Sequence, residues 1–188
     1  MDNRSALLKC ALELFAARGY DAVGVQEIVD AVGITKPTLY HYFGSKQGLL
    51  QVLLEENANL LSAGLREAAA YQGDLTGSLI RVAKAFFHFA LAHPTYYRMQ
   101  LSMWFSAVES DPFKAIAELN EQQYHLVEEL FLKAAWDHGN TRGRHQAYAL
   151  TFVGMLNTYI TLWLNGYGEI GDDLVYRVVH QFEHGIYS

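Results

Sequence analysis

The chain has 188 residues, half of them apolar, which is enough to bury a core without disulfides or metal in one domain or in two that share a helix. Its single cysteine, Cys10, excludes an intramolecular bridge and fits a reducing compartment. The net charge of −6 argues against nucleic acid for the chain as a whole, yet residues 1–50 carry five Lys/Arg and five Asp/Glu, so the whole acidic excess lies in residues 51–188 and any contact with phosphate belongs to the first fifty.

Taken in order, the polar start (Asp2, Asn3, Arg4) and the charges of Lys9 and Glu13 make a poor signal sequence, which predicts a cytoplasmic protein. The apolar spacing is helical throughout and no run alternates as a strand does, so the fold class is all-α. Leu8, Ala11, Leu12 and Phe15 recur at helical spacing, with Gly19 placed to close the helix. Val25, Ile28, Val29 and Val32 repeat the pattern up to Gly33. A short third helix over 36–43 follows Thr35 as N-cap. Gly44-Ser45 then opens a long fourth helix, about 46–71, carrying Leu49, Leu50, Leu53, Leu54, Leu60, Leu61 and Leu65. Further helices are predicted near 75–92, 95–108, 112–138, 144–167 and 173–186. Asp111-Pro112 reads as an N-cap followed by a first-turn proline, whose missing N–H costs nothing there. The stretch between Arg144 and Glu169 has no charged residue and is long enough to span a bilayer. Gln146, Thr151, Asn157, Thr158, Thr161 and Asn165 interrupt it, so a helix buried in a core or subunit interface is the better reading, with no membrane partner.

Three short helices with a glycine turn between the second and third make a helix-turn-helix. On a helical wheel Leu39 and Phe43 share one face of the third helix, directed at Ile28 and Val32. The opposite face is Pro37, Thr38 and His41, with Tyr40 and Tyr42 on the flanks and Lys36 projecting from the first turn. In a recognition helix Lys36, Thr38 and His41 reach base edges and Pro37 meets a thymine methyl. The tyrosine hydroxyls reach phosphates, which fix position without reading sequence. Lys46, in the first turn of the fourth helix, adds a cation where backbone N–H groups already favour phosphate. On spacing alone, an ordinary helical corner with solvated Tyr, His and Lys fits equally well.

Three strings then carry a resemblance: A-L-E-L-F-A-A-R-G-Y (11–20), I-V-D-A-V-G-I-T-K-P-T-L-Y-H-Y-F (28–43) and S-K-Q-G-L-L (45–50). They resemble the N-terminal domain of the tetracycline-repressor (TetR) family over about a quarter of the chain. The resemblance implies a DNA-binding domain over 1–50, a connecting fourth helix, and a helical ligand-binding and dimerisation domain over 51–188. It implies a homodimer joined through the two C-terminal helices, a pseudo-palindromic double-stranded operator, and release of DNA when a small-molecule effector binds. By the family pattern Thr35, Lys36, Thr38, Tyr40, His41, Tyr42 and Lys46 contact DNA. Two positions depart from that pattern. Gly24 stands where a Thr or Ser caps the second helix and touches phosphate, and Gln47 replaces an acidic residue.

Other signals point to less. His180, Glu183 and His184 spell H-x-x-E-H, an inverted zinc-peptidase signature, but no later ligand follows them and the segment falls where the family places a dimer helix. No glycine-rich phosphate loop or interpretable Ser/His/Asp order is present. The expectation is therefore no catalytic residue, no metal and no cofactor. Aromatic residues and methionines cluster on the middle helices, as a core does, and a subset suits a cavity for a flat apolar ligand: Phe86, Met103, Trp104, Tyr124, Phe152, Tyr159 and Trp163. The leading reading is a dimeric, ligand-responsive repressor with a largely apolar or aromatic effector. The alternatives are a helical adaptor that has kept the fold and lost operator affinity, and, remotely, a zinc-dependent enzyme.

Overall fold

A computed structural model of the chain describes residues 2–139 and 142–185. Among these the elements are α1 (Asn3–Arg18), α2 (Val25–Val32), α3 (Lys36–Phe43), α4 (Lys46–Ala68), α5 (Leu75–Ala92), α6 (Pro94–Trp104), α7 (Asp111–Ala134), α8 (His145–Leu164) and α9 (Asp172–His184), with no strand among the described residues.

The helix starts follow from their caps. Asp2 accepts from the Ser5 N–H at 2.7 Å, Ser45 Oγ from the Gly48 N–H at 2.9 Å, and Asp74 Oδ1 from the Gly77 N–H at 2.9 Å. Each satisfies one of the donors that a first helical turn leaves unpaired. The expected cap at Asp111 is corrected: α7 begins at Asp111 itself, and Ser110 Oγ faces the Phe113 N–H at 3.4 Å. The predicted ends also shift. The expected helix over 95–108 stops at Trp104, where the chain turns with the Ser106 N–H on the Met103 carbonyl at 3.1 Å. The one over 112–138 stops at Ala134 and tightens into turns through Asp137. Gly166 and Gly185, at φ +78° and +66°, follow the ends of α8 and α9. The expected C-terminus of α9 at Ile186 lies outside the described residues.

Two compact units form. The first holds the residues up to 59 together with 94–119, so it is larger than the fifty N-terminal residues. Its core joins Leu7, Ala11 and Phe15 of α1 to Ile28 and Val29 of α2, Leu39 of α3, Leu49, Leu50, Leu53 and Leu54 of α4, and Tyr96, Tyr97, Met99 and Met103 of α6. Within it α1 packs on both α2 and α6. The Tyr96 hydroxyl donates to the Leu54 carbonyl at 3.4 Å, and burial pushes that phenol well above the ordinary tyrosine range. The second unit holds residues 60–93 and those from 120 on. There α5 packs on α8 and α9, and α8 packs on α9. Its core includes Val82, Phe86, Phe87, Phe131, Phe152, Leu156, Ile160, Val178 and Val179. Full burial of one such side chain contributes about 1.5–3 kcal/mol.

Candidate nucleic-acid interface

The turn between α2 and α3 sets the site. Gly33 takes the left-handed conformation (φ +77°, ψ 34°), and its N–H reaches back to the carbonyls of Val29 and Asp30, which ends α2 in a form that favours glycine. Ile34 and Thr35 then lead into α3, with Pro37 in its first turn, where a missing N–H is harmless. Gly44, at φ +72°, closes α3 after two turns. The helix is anchored from within: Leu39 is completely buried and Phe43 nearly so, and α3 packs on α2 and α1.

That anchoring turns the other face outward. Lys36, Pro37, Tyr40, His41 and Tyr42 are exposed, and Thr38 is half-buried. Thr35 gives α3 no side-chain cap; its hydroxyl lies 3.0 Å from that of Thr38, so the two pair across the first turn. The His41 and Tyr42 rings meet edge to face at 5.6 Å. Two large aromatics held in water, Tyr40 at 44 % and Tyr42 at 41 % exposure, stand with Lys36 and His41 on one exposed polar face of α3. An exposed helix face of this kind fits a major groove.

The cations nearby differ in availability. Arg18 pairs with Glu27, and Arg4 with Glu56 at 2.6 Å. Lys46 is engaged inside the protein: its Nζ donates to the Tyr20 carbonyl at 2.6 Å and lies 4.0 Å from the Tyr20 ring centroid. Burial lowers the ammonium from the ordinary lysine value, opposed by Asp21 and Asp111. The spacing that placed Lys46 beside phosphate thus missed an internal partner 26 residues earlier, and only the remaining donors of its ammonium are left for an outside acceptor. At Gly24 the backbone is extended (φ −90°, ψ 152°) with no side-chain cap, and a Cβ there would meet nothing within 4 Å. Cys10 is a packed thiol, its Sγ 4.0 Å from the Ile28 carbonyl and its pKa raised by burial.

The residues singled out for an effector divide between the two units. Met103 and Trp104 belong to the first unit, where Trp104 stacks on Phe113 at 5.4 Å. Phe86 and Phe152, in the second unit, are completely buried. Tyr124, Tyr159 and Trp163 are half-buried there, with the Tyr159 hydroxyl donating to Gln181 Oε1 at 3.0 Å. In the H-x-x-E-H stretch the rings of His180 and His184 lie 4.5 Å apart, while Glu183 accepts from the Thr76 hydroxyl at 2.6 Å. Among the described residues no three His, Cys, Asp or Glu side chains gather as a metal site.

The sequence profile of the bacterial regulatory proteins of the tetR family matches residues 7–53, the segment that builds this motif. Across its length the chain is 28 % identical to the HTH-type transcriptional activator FasR of Mycolicibacterium smegmatis, over 98 % of this chain and 82 % of that protein. These matches make the N-terminal segment similar to the DNA-binding domain of TetR-family regulators. A shorter local match is higher: 47 % identity over 49 residues with the repressor BdcR of Escherichia coli, which covers 26 % of this chain and 25 % of that protein. The fold likeness extends to the whole chain. The fatty acid degradation regulator FadR from Bacillus halodurans superposes with a TM-score of 0.81 at 19 % identity, covering 100 % of this chain and 98 % of that one. The chain is thus similar to DNA-binding transcriptional regulators, and the relatives it matches are regulators, which speaks against the zinc-enzyme alternative.

Proposed function

We propose that this protein is a TetR-type regulator that acts in the cytoplasm as a homodimeric repressor whose operator is released by a small, largely apolar or aromatic effector. The observation that carries DNA reading is the outward face of α3, with Lys36, Pro37, Tyr40, His41 and Tyr42 in water while Leu39 and Phe43 hold the helix from behind. In this reading Lys36, Thr38 and His41 meet base edges, Pro37 a thymine methyl, and Thr35, Tyr40, Tyr42 and Lys46 the sugar-phosphate backbone.

Dimerisation is supported by α8. It is apolar enough to cross a membrane by composition, as is α5, yet only 28 % of its apolar stretch is buried. Its exposed face runs through Ala147, Leu150, Thr151, Gly154, Thr158, Thr161 and Leu162 with no charge. A second copy pairing α8 and α9 about a two-fold axis covers that face in a four-helix interface. Two recognition helices so related call for half-sites about 34–36 Å apart on one side of the duplex. The effector is assigned to the second unit, where Tyr124, Tyr159 and Trp163 keep part of their rings accessible. Activation is the second reading, favoured by the name of the relative that covers almost the whole chain. A gel shift with DNA upstream of the protein's own gene, followed by a transcription assay on that DNA, tests binding and then separates repression from activation.

A further inference from the structure

Within the second unit a cavity of about 480 Å³ opens beside the start of α5, a size suited to a small organic molecule. Three rings wall it: Phe131 of α7, Tyr148 of α8 and Phe182 of α9, with centroids 5.7 to 6.1 Å apart. Two carboxylates stand in the same lining, Asp74 at the N-cap of α5 and Glu183 on α9. Both are held in place by neutral donors: Asp74 by the Gly77 N–H and Glu183 by the Thr76 hydroxyl. Among the described residues no lysine or arginine lines the cavity; His138, His184 and the Tyr148 phenol are its other ionisable groups.

We infer that this cavity binds a small organic ammonium ion bearing an apolar arm. Aromatic faces carry the negative end of the ring quadrupole and attract a cation that has left water, and fixed carboxylates add a charge that a neutral or anionic guest cannot use. The walls bury the arm through apolar contact. The inference needs neither DNA nor a second subunit, so it stands or falls separately from operator release.

The test is calorimetry on the full chain at pH 8, with benzyltrimethylammonium as probe and 3-phenylpropionate as an anion of similar size. The cation should bind once per chain with a sub-millimolar Kd, and the anion at least tenfold more weakly. The double variant Asp74→Asn, Glu183→Gln keeps an N-cap and a hydrogen-bond acceptor while removing both charges. It should weaken the cation at least tenfold with an unchanged helical signal and melting temperature. Tyr148→Leu should weaken the cation severalfold. Equal binding of the two ions, absence of cation binding at millimolar concentration, or full cation affinity in the double variant overturns the assignment. The comparison of the two ions on the unaltered protein holds even if a variant fails to fold.

Discussion

Lys46 and Tyr20 are joined twice, by a hydrogen bond from the Lys46 Nζ to the Tyr20 carbonyl and by the placement of the same ammonium over the Tyr20 ring. The pair fastens the first turn of α4 to the loop between α1 and α2, which frame α3. A cation–π contact at a partly exposed site contributes about 0.5–1 kcal/mol, and a charged hydrogen bond adds a comparable amount after solvent screening. Lys46→Ala should therefore destabilise the protein by about 1–2 kcal/mol, and a chain of this size loses about 2–4 °C of melting temperature per kcal/mol. Thermal unfolding followed by circular dichroism checks this. A variant that melts with the parent shows that the contact contributes nothing.

Gly24 is open to improvement. Its backbone already has N-cap geometry and nothing crowds a new side chain. Gly24→Ser should supply an oxygen to the first turn of α2 and raise stability by a few tenths of a kcal/mol. Because the family places a phosphate contact there, operator affinity at low salt should rise as well. Fluorescence anisotropy at two salt concentrations measures it; unchanged affinity would mean that this position does not approach the backbone of DNA.

The parts of this site that were legible in the sequence are those decided by near neighbours. Gly33, Gly44 and the Leu39/Phe43 spacing bound α3, since turn chemistry and helical period act over a few residues. The Lys46–Tyr20 pair was not legible, because nothing local to either residue records a contact 26 positions away. For the same reason Met103 and Trp104 read as part of the C-terminal body. α6 in fact packs on α1, and chain order gave no sign of that return. The α7 cap shows a finer limit: Ser110 and Asp111 are both good capping residues, and only the backbone path chooses between them.

The uncharged face of α8 gives a direct test of assembly. Leu150 is 49 % exposed, so Leu150→Lys should leave the fold of the single chain intact. In a two-fold interface it would bury two unpaired charges, at a cost of about 3–5 kcal/mol. Light scattering at micromolar concentration should show a dimer for the parent and a monomer for the variant. A monomeric parent contradicts the four-helix interface.

Effector release imposes a reciprocal condition. A compound that weakens operator binding by some factor must itself bind the operator complex more weakly by that same factor. Titration of the compound into free and DNA-bound protein should therefore give two affinities in the ratio of the two operator affinities. Equal values exclude that compound as the releasing effector.

The central claim is that α3 reads base edges, and His41 tests it best because it is exposed and lies off the Leu39–Phe43 anchor. The measurement is binding of the parent and His41→Ala to operator and to random DNA across a salt series. A lost base contact reduces discrimination by about 1–3 kcal/mol, or roughly 5- to 150-fold in the preference for operator. Affinity for random DNA and the slope against log salt should barely move, since no phosphate contact is lost. A His41→Ala protein that loses operator and random DNA alike, with a shallower salt slope, would show instead that α3 lies along the phosphate backbone and does not read the groove.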